Sequence, residues 1–172
     1  MLATGSPLNC RQTPPLHVVL YQPEIPQNTG NIGRTCVALG VKLWIVRPAG
    51  FRLDASQLKR AGLDYWQHLE WEAVDNWESL REAIPGARMW FLTKFAERSY
   101  HTAKFAYGDA LVFGRETSGL PVKLRTEYVD QQLSIPMPGP VRSLNLATAA
   151  GIVMYTAAEQ IGLLACCHVP KT

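Results

Sequence analysis

Short apolar runs and stretches of helical spacing follow one another along the chain. HVVLYQ (17–22), VKLWIV (41–46), RMWFLT (88–93) and ALVFG (110–114) are near-continuous apolar runs, the pattern of parallel strands covered on both faces. HLEWEAV (68–74) is a weaker strand, and Gln131 to Pro136 is a further one that feeds the last helix. Gly30 to Leu39 puts Ile32, Cys36 and Leu39 on one helical face, with Gly40 as the stop. Asp54 with Gln57 reads as a capping pair opening a short helix through Arg60 that closes at Gly62. Asp75 with Glu78 repeats the pair before a helix that ends at Pro85-Gly86. Strands alternating with helices along the whole length predict an α/β domain with a mostly parallel sheet and helices on both faces.

Composition narrows this picture. A length of 172 residues suits one domain, placed at 16–165 between a flexible N-terminal tail (1–15) and a C-terminal tail (166–172). The apolar share of 47% and charged share of 18% are those of an ordered globular chain. Net charge is +3, too mild to demand a nucleic-acid partner but compatible with one if the charges cluster, and a symmetric dimer doubles any such patch. Cys10, Cys36, Cys166 and Cys167 form no C-x-x-C pair and no ligand spacing with His17, His68, His101 or His168, so reduced thiols and no metal are expected. The first fifteen residues lack a charged n-region and an apolar run, which speaks against a secretory signal and for a cytoplasmic protein. Leu144 to Cys167 is strongly apolar, yet Asn145, Glu159 and Gln160 interrupt it, so a buried or interface helix is expected there rather than a membrane span.

In a parallel sheet, ligands sit beyond the carboxyl ends of the strands. Three loops there carry the polar, glycine and proline content of a site: EIPQNTGNIGRT (24–35), FGRETSGLP (113–121) and IPMPGPVRSLN (135–145). No G-x-G-x-x-G follows the first strand, no G-x-x-x-x-G-K-[ST] occurs, and Ser118-Gly119 lacks the flanks of a nucleophile elbow. Dinucleotide, P-loop and hydrolase-triad chemistry are therefore unsupported.

NTGNIGRT (28–35), FGRETSGLP (113–121) and I-P-M-x-x-x-x-R-S-L-N-L (135–146) resemble the three ordered motifs of the SPOUT RNA 2′-O-ribose methyltransferases. RAGLDYW (60–66) is similar to the subgroup that methylates the wobble nucleotide of tRNA, and the likeness spans about residues 17–164. The resemblance implies a C-terminal deep trefoil knot, a rarity that no periodicity reveals. It also implies a homodimer, S-adenosyl-L-methionine bound bent among the knot loops, and the tRNA anticodon region as substrate. Leu92, Thr93, Gly114 and Ile135 then match the cofactor-contacting backbone, with Met137, Ser143, Leu144 and Glu116 completing the wall.

For the chemistry, the resemblance nominates Arg34, Asn28, Glu116, Ser143 and Asn145. Methyl transfer to a ribose 2′-hydroxyl needs in-line approach and loss of the hydroxyl proton, and positioning can remove about 7–11 kcal/mol of such a barrier. A guanidinium stays protonated in proteins and is a poor base, so Arg34 is assigned orientation and charge stabilisation. Plainer roles stand beside these: Asn28 or Ser143 as a helix N-cap, Glu116 as a capping or surface carboxylate, and Arg34 as a surface cation. Lys59, Arg60, Lys94, Arg115 and Arg142 are candidate phosphate contacts. Tyr65 and Trp66 either stack on an anticodon base or pack internally.

The small residues Ala147 to Gly151 serve core packing or a dimer interface, and Tyr155 matches an interface tyrosine. One departure is Ala147-Thr148, where the family usually has Ser-Asn. Two readings stand beside the leading one: the same reaction on ribosomal RNA, and a non-catalytic RNA-binding dimer of the same fold, which the Ala147-Thr148 change makes conceivable.

Overall fold

The computed structural model describes residues 13–51 and 64–165. The expected short helix at 54–60, with Lys59 and Arg60, lies outside the described residues, as do Cys10, Cys166, Cys167 and His168.

Six strands form one sheet in the order β3-β2-β1-β5-β4-β6: β1 (Leu16–Tyr21), β2 (Lys42–Val46), β3 (Trp71–Val74), β4 (Met89–Leu92), β5 (Asp109–Phe113) and β6 (Gln132–Leu133). Every pairing is parallel. The helices are α1 (Pro26–Leu39), α2 (Trp77–Ala83), α3 (Val122–Glu127) and α4 (Leu146–Gln160). Short 3-10 turns add Asp64–His68, Tyr100–Thr102 and Val129–Gln131. Among the described residues no helix is long and apolar enough to cross a membrane, and no cluster of His, Cys, Asp or Glu could hold a metal ion.

The period of two along β1 divides the core. Leu16, Val18 and Leu20 face one layer with Ile32 and Cys36 of α1 and Val153, Met154 and Ala157 of α4. Val19 faces the other, with Trp77 and Leu80 of α2 and Leu124 of α3. Helices thus cover both faces, which is why the strands read as continuous apolar runs. Burial raises the Cys36 thiol above its ordinary range, so it packs as an inert apolar residue.

Several element boundaries differ from the expectation. The helix expected after Asp75 is capped by Asn76, whose side chain accepts from Ser79 N at 2.8 Å, and not by Asp75, which pairs with Arg47 at 2.9 Å. The weak strand narrows to Trp71–Val74, since His68 ends the 3-10 turn at Asp64–His68 and Leu69 and Glu70 connect the turn to the strand. The last strand keeps only Gln132–Leu133, since β4 alone flanks it. α1 begins at Pro26, four residues before Gly30. Proline needs no N–H partner in a first helical turn, and Gly40, at φ 63°, closes the far end by donating to the Cys36 and Val37 carbonyls.

Register levels the carboxyl ends. Leu20 pairs with Phe113, Phe113 with Leu92, and Leu92 with Leu133, so β1, β5, β4 and β6 share one row. Three of the four segments that leave this row, those after β1, β5 and β6, are the loops singled out in the sequence; the fourth follows β4.

At the opposite end of the sheet, Trp44 Nε1 donates to His17 Nδ1 at 3.0 Å. His17 is buried, and its pKa is lowered to about 4, first by desolvation and then by the Lys42 charge. The unfolded chain therefore takes up a proton between about pH 6.5 and pH 4 that the fold refuses, and stability contributed by neutral His17 is lost over that window, at most about 3 kcal/mol. Denaturant unfolding of wild type and His17→Gln should show the wild type losing stability faster as pH falls from 7 to about 4.5. Parallel pH profiles would contradict this account.

Candidate active site

The loop after β5 turns back on itself. Arg115 and Gly119 exchange backbone hydrogen bonds at 3.1 and 2.9 Å, and Gly119 takes φ 68°, which favours glycine. The returning chain passes directly over Gly114: a Cβ there would lie 2.3 Å from both Gly119 C and Leu120 N. Because both neighbours are backbone, no rotamer change could relieve the overlap.

This turn presents Glu116 to the start of α1. Its carboxylate accepts from Glu24 N at 2.8 Å, Ile25 N at 3.1 Å and Asn28 Nδ2 at 3.1 Å. α1 has no side-chain cap of its own at Ile25, and the negative charge suits the positive end of the helix dipole. The contact is reciprocal: Glu24 accepts from Thr117 N at 2.9 Å and from Thr117 Oγ1 at 2.8 Å. Those bonds, the Thr117 backbone N–H foremost, hold the Glu24 carboxyl below its usual range. Nothing in local sequence pattern signals the Glu24–Thr117 pair, which spans 93 positions.

Asn28 carries the network further. It is the third residue of α1 and not its N-cap, so its side chain projects from the helix; its Oδ1 accepts from Asn145 Nδ2 at 2.9 Å. Asn145 in turn caps α4, its Oδ1 accepting from Ala147 N at 2.9 Å and Thr148 N at 3.3 Å. The cap reading for Ser143 is therefore replaced by Asn145, two residues on, while Ser143 stays exposed at the cavity wall. Since Asn145 bonds backbone N–H groups, Ala147-Thr148 supports the cap as well as Ser-Asn would.

The three loops, together with the end of β4 and the residues that follow it, enclose a cavity of about 460 Å³, within the range of small-molecule sites. Its wall includes Asn28, Leu92, Thr93, Gly114, Glu116, Ile135, Met137, Ser143, Leu144 and Asn145. Arg34 is the exception among the nominated residues. It lies on the exposed flank of α1, six residues and about 9 Å of helix beyond Asn28. Its guanidinium sits over the Tyr65 ring, 4.6 Å from the centroid.

The other candidates fall in three places. Trp66 is buried against Gly33, which removes it as a base-stacking surface, and Tyr65 is half-buried beneath Arg34. Arg115 donates to the Gln22 side chain and so braces the scaffold. Lys94 lines the cavity mouth beside exposed Phe95, whose ring Arg125 also covers at 4.4 Å, and Arg142 is exposed. Phe95 was not legible as a mouth residue, because one aromatic in a polar loop carries no pattern.

The model of the SpoU rRNA Methylase family matches residues 15–155. The chain is 44% identical over 144 residues to a tRNA (cytidine(34)-2′-O)-methyltransferase of Methylovorus glucosotrophus, covering 83% of this chain and 94% of that one. A solved structure concerned with 2-OH methylation of C/U34 on tRNA superposes with a TM-score of 0.79 at 51% identity, over 84% of this chain and 95% of that one. AviRb of Streptomyces viridochromogenes, a SpoU methyltransferase solved in complex with AdoMet, gives a TM-score of 0.72 at 26% identity, over 84% of this chain and 57% of that one.

Glu116→Ala leaves two backbone N–H groups and the Asn28 amide without their acceptor, a loss of about 1–3 kcal/mol. Thermal unfolding should show that loss, whereas Thr117→Val, which removes only the hydroxyl arm to Glu24, should cost less. Equal stability of Glu116→Ala and wild type would show that the carboxylate does not organise these loops.

Proposed function

We propose that this chain, which belongs to the SpoU rRNA Methylase family, is an S-adenosylmethionine-dependent methyltransferase acting on the ribose 2′-hydroxyl of the tRNA wobble nucleotide, cytidine or a modified uridine. The observation that carries the reading is the convergence of three sequence-distant loops into one cavity, tied together by the Glu116, Asn28 and Asn145 side chains.

The residues present suit the cofactor. Leu92, Ile135, Met137 and Leu144 offer apolar surface to an adenine, and the close crossing over Gly114 leaves main-chain groups at the wall. The Ser143 hydroxyl, which has no hydrogen-bond partner among the described residues, is a polar group for the amino-acid end. When bound, S-adenosylmethionine supplies a methyl group on a positively charged sulfur.

The protein's own part is positioning. Asn28 and Asn145 fix the facing loops, so the donor pocket is shaped before substrate arrives, and preorganised geometry is where most of the rate advantage of such a transfer lies. Arg34, outside the cavity on the adjoining helix flank, meets the ribose or its phosphate and offsets charge as the 2′-oxygen loses its proton. Lys94 and Arg142, with Lys59 and Arg60, contact RNA phosphates, which position without specifying sequence.

The same reading includes a single domain over 16–165, a trefoil knot formed by the C-terminal loops, a cytoplasmic location, and a homodimer through α4. Tyr155 is 48% exposed on that helix, and a Cβ at Gly151 would meet nothing within 4 Å, which leaves the face open to a second copy.

Calorimetry with S-adenosylhomocysteine should give micromolar-range binding, and labelled methyl transfer should go to total tRNA and not to ribosomal RNA. Nucleoside mass spectrometry should place the new methyl on the wobble ribose. Arg34→Ala should abolish turnover while retaining cofactor affinity, because Arg34 is not part of the cavity wall. Full activity of that variant would remove Arg34 from the mechanism, and transfer to ribosomal RNA alone would replace the substrate.

A further inference from the structure

Arg34 reaches out from a helix flank on a long side chain, and holding such a chain in one rotamer carries an entropy cost. What lies beneath it is specific. The 3-10 turn Asp64–His68 docks on α1 through two glycines. At Gly33 a Cβ would come within 2.8 Å of Trp66 Cζ3 and 3.1 Å of Leu69 Cδ2, so the absence of a side chain there lets the turn approach. At Gly30 the backbone carbonyl accepts from the Tyr65 hydroxyl at 2.7 Å.

That docking aims one residue at Arg34. The Tyr65 ring lies 4.6 Å from the Arg34 guanidinium carbon, a distance at which a cation is attracted to an aromatic face. The Gly30 carbonyl that Tyr65 engages is, by the i to i−4 pattern of an α-helix, also the acceptor for the Arg34 N–H. Tyr65 therefore bears on residue 34 at its backbone and at its charged end.

We propose that Tyr65 is a positioning residue for methyl transfer: its hydroxyl anchors it to α1 and its ring holds the Arg34 guanidinium ready for the ribose before RNA arrives. The inference rests on the reading of the preceding subsection. It also gives Tyr65 a different part from base stacking, since its ring lies under the Arg34 guanidinium.

The test is single-turnover methyl transfer to a tRNA transcript by Tyr65→Phe and Tyr65→Leu, each made with Arg34 present and in an Arg34→Lys background, together with S-adenosylhomocysteine affinity. Tyr65→Phe, which keeps the ring, should stay within about threefold of wild type, and Tyr65→Leu should fall on the order of tenfold with cofactor affinity and half-saturating RNA concentration unchanged. In the Arg34→Lys background Tyr65→Leu should cost less than about twofold more, because a compact, hydrated ammonium lacks the planar face that the ring holds in the guanidinium. If Tyr65→Leu does not fold, Tyr65→Gln, which can donate to Gly30 but has no ring, takes its place with the same expectations.

An equal loss in both Arg34 backgrounds, or a loss confined to RNA affinity, overturns the inference, as does full activity without the ring. A wild-type protein that transfers no methyl group overturns the functional reading and this inference with it. An active wild type with an equally active Tyr65→Leu overturns the inference alone.

Discussion

A carboxylate at the tip of the 113–121 turn has to satisfy the entry to a helix almost ninety positions away in sequence. After β1 the chain must leave the sheet, reverse and start α1, and it does so through Gln22, at φ 51°, and through Ile25, which offers no cap. Hydrogen bonds to an ionised acceptor are among the stronger ones, and three donors converge on Glu116. Fixing that entry orients Asn28, which orients Asn145, which begins α4. The cavity is what remains between these parts.

The sheet gives this network its place. Because Leu20, Phe113, Leu92 and Leu133 end in one row, the loops after β1, β5 and β6 start at the same height and meet without long excursions. The chain runs outward from β1 to β3 on one side and then crosses to the other, which opens a crevice beside β1 at the carboxyl ends, the usual ligand position in such sheets. The anchoring of α1 and α4 against one face of β1 makes that crevice rigid at its base.

Much of the architecture was legible because burial on both faces leaves a direct trace: VKLWIV and ALVFG have almost no polar residue to misplace. What was misread had a physical cause outside the local sequence. Gln-Asn-Thr-Gly-Asn has turn composition, yet it is helical because Glu116 supplies the acceptor that the segment itself lacks. Ser143 and Asn145 are both capping residues by type, and only the path of the chain decides between them. Asp75 and Asn76 pose the same choice, which the ion pair with Arg47 settles. The residues that converge on the cavity came from likeness to three motifs, not from periodicity, and the Glu24–Thr117 pair came from neither. Trp66 went inward because Gly33 leaves room for it, a complementarity visible only once the two segments touch.

The two margins of the sheet have a consequence of their own. β6 offers only Gln132 and Leu133 beyond β4, while β3 is four residues long and carries Glu72 beside the Lys42 ammonium at 3.2 Å. Short borders, one of them charge-bearing, give a foreign strand little to zip onto, so molecules crowded together at synthesis are protected from joining sheet to sheet. An all-parallel sheet forms from distant segments and is slow to complete, and such protection counts most while assembly is still under way.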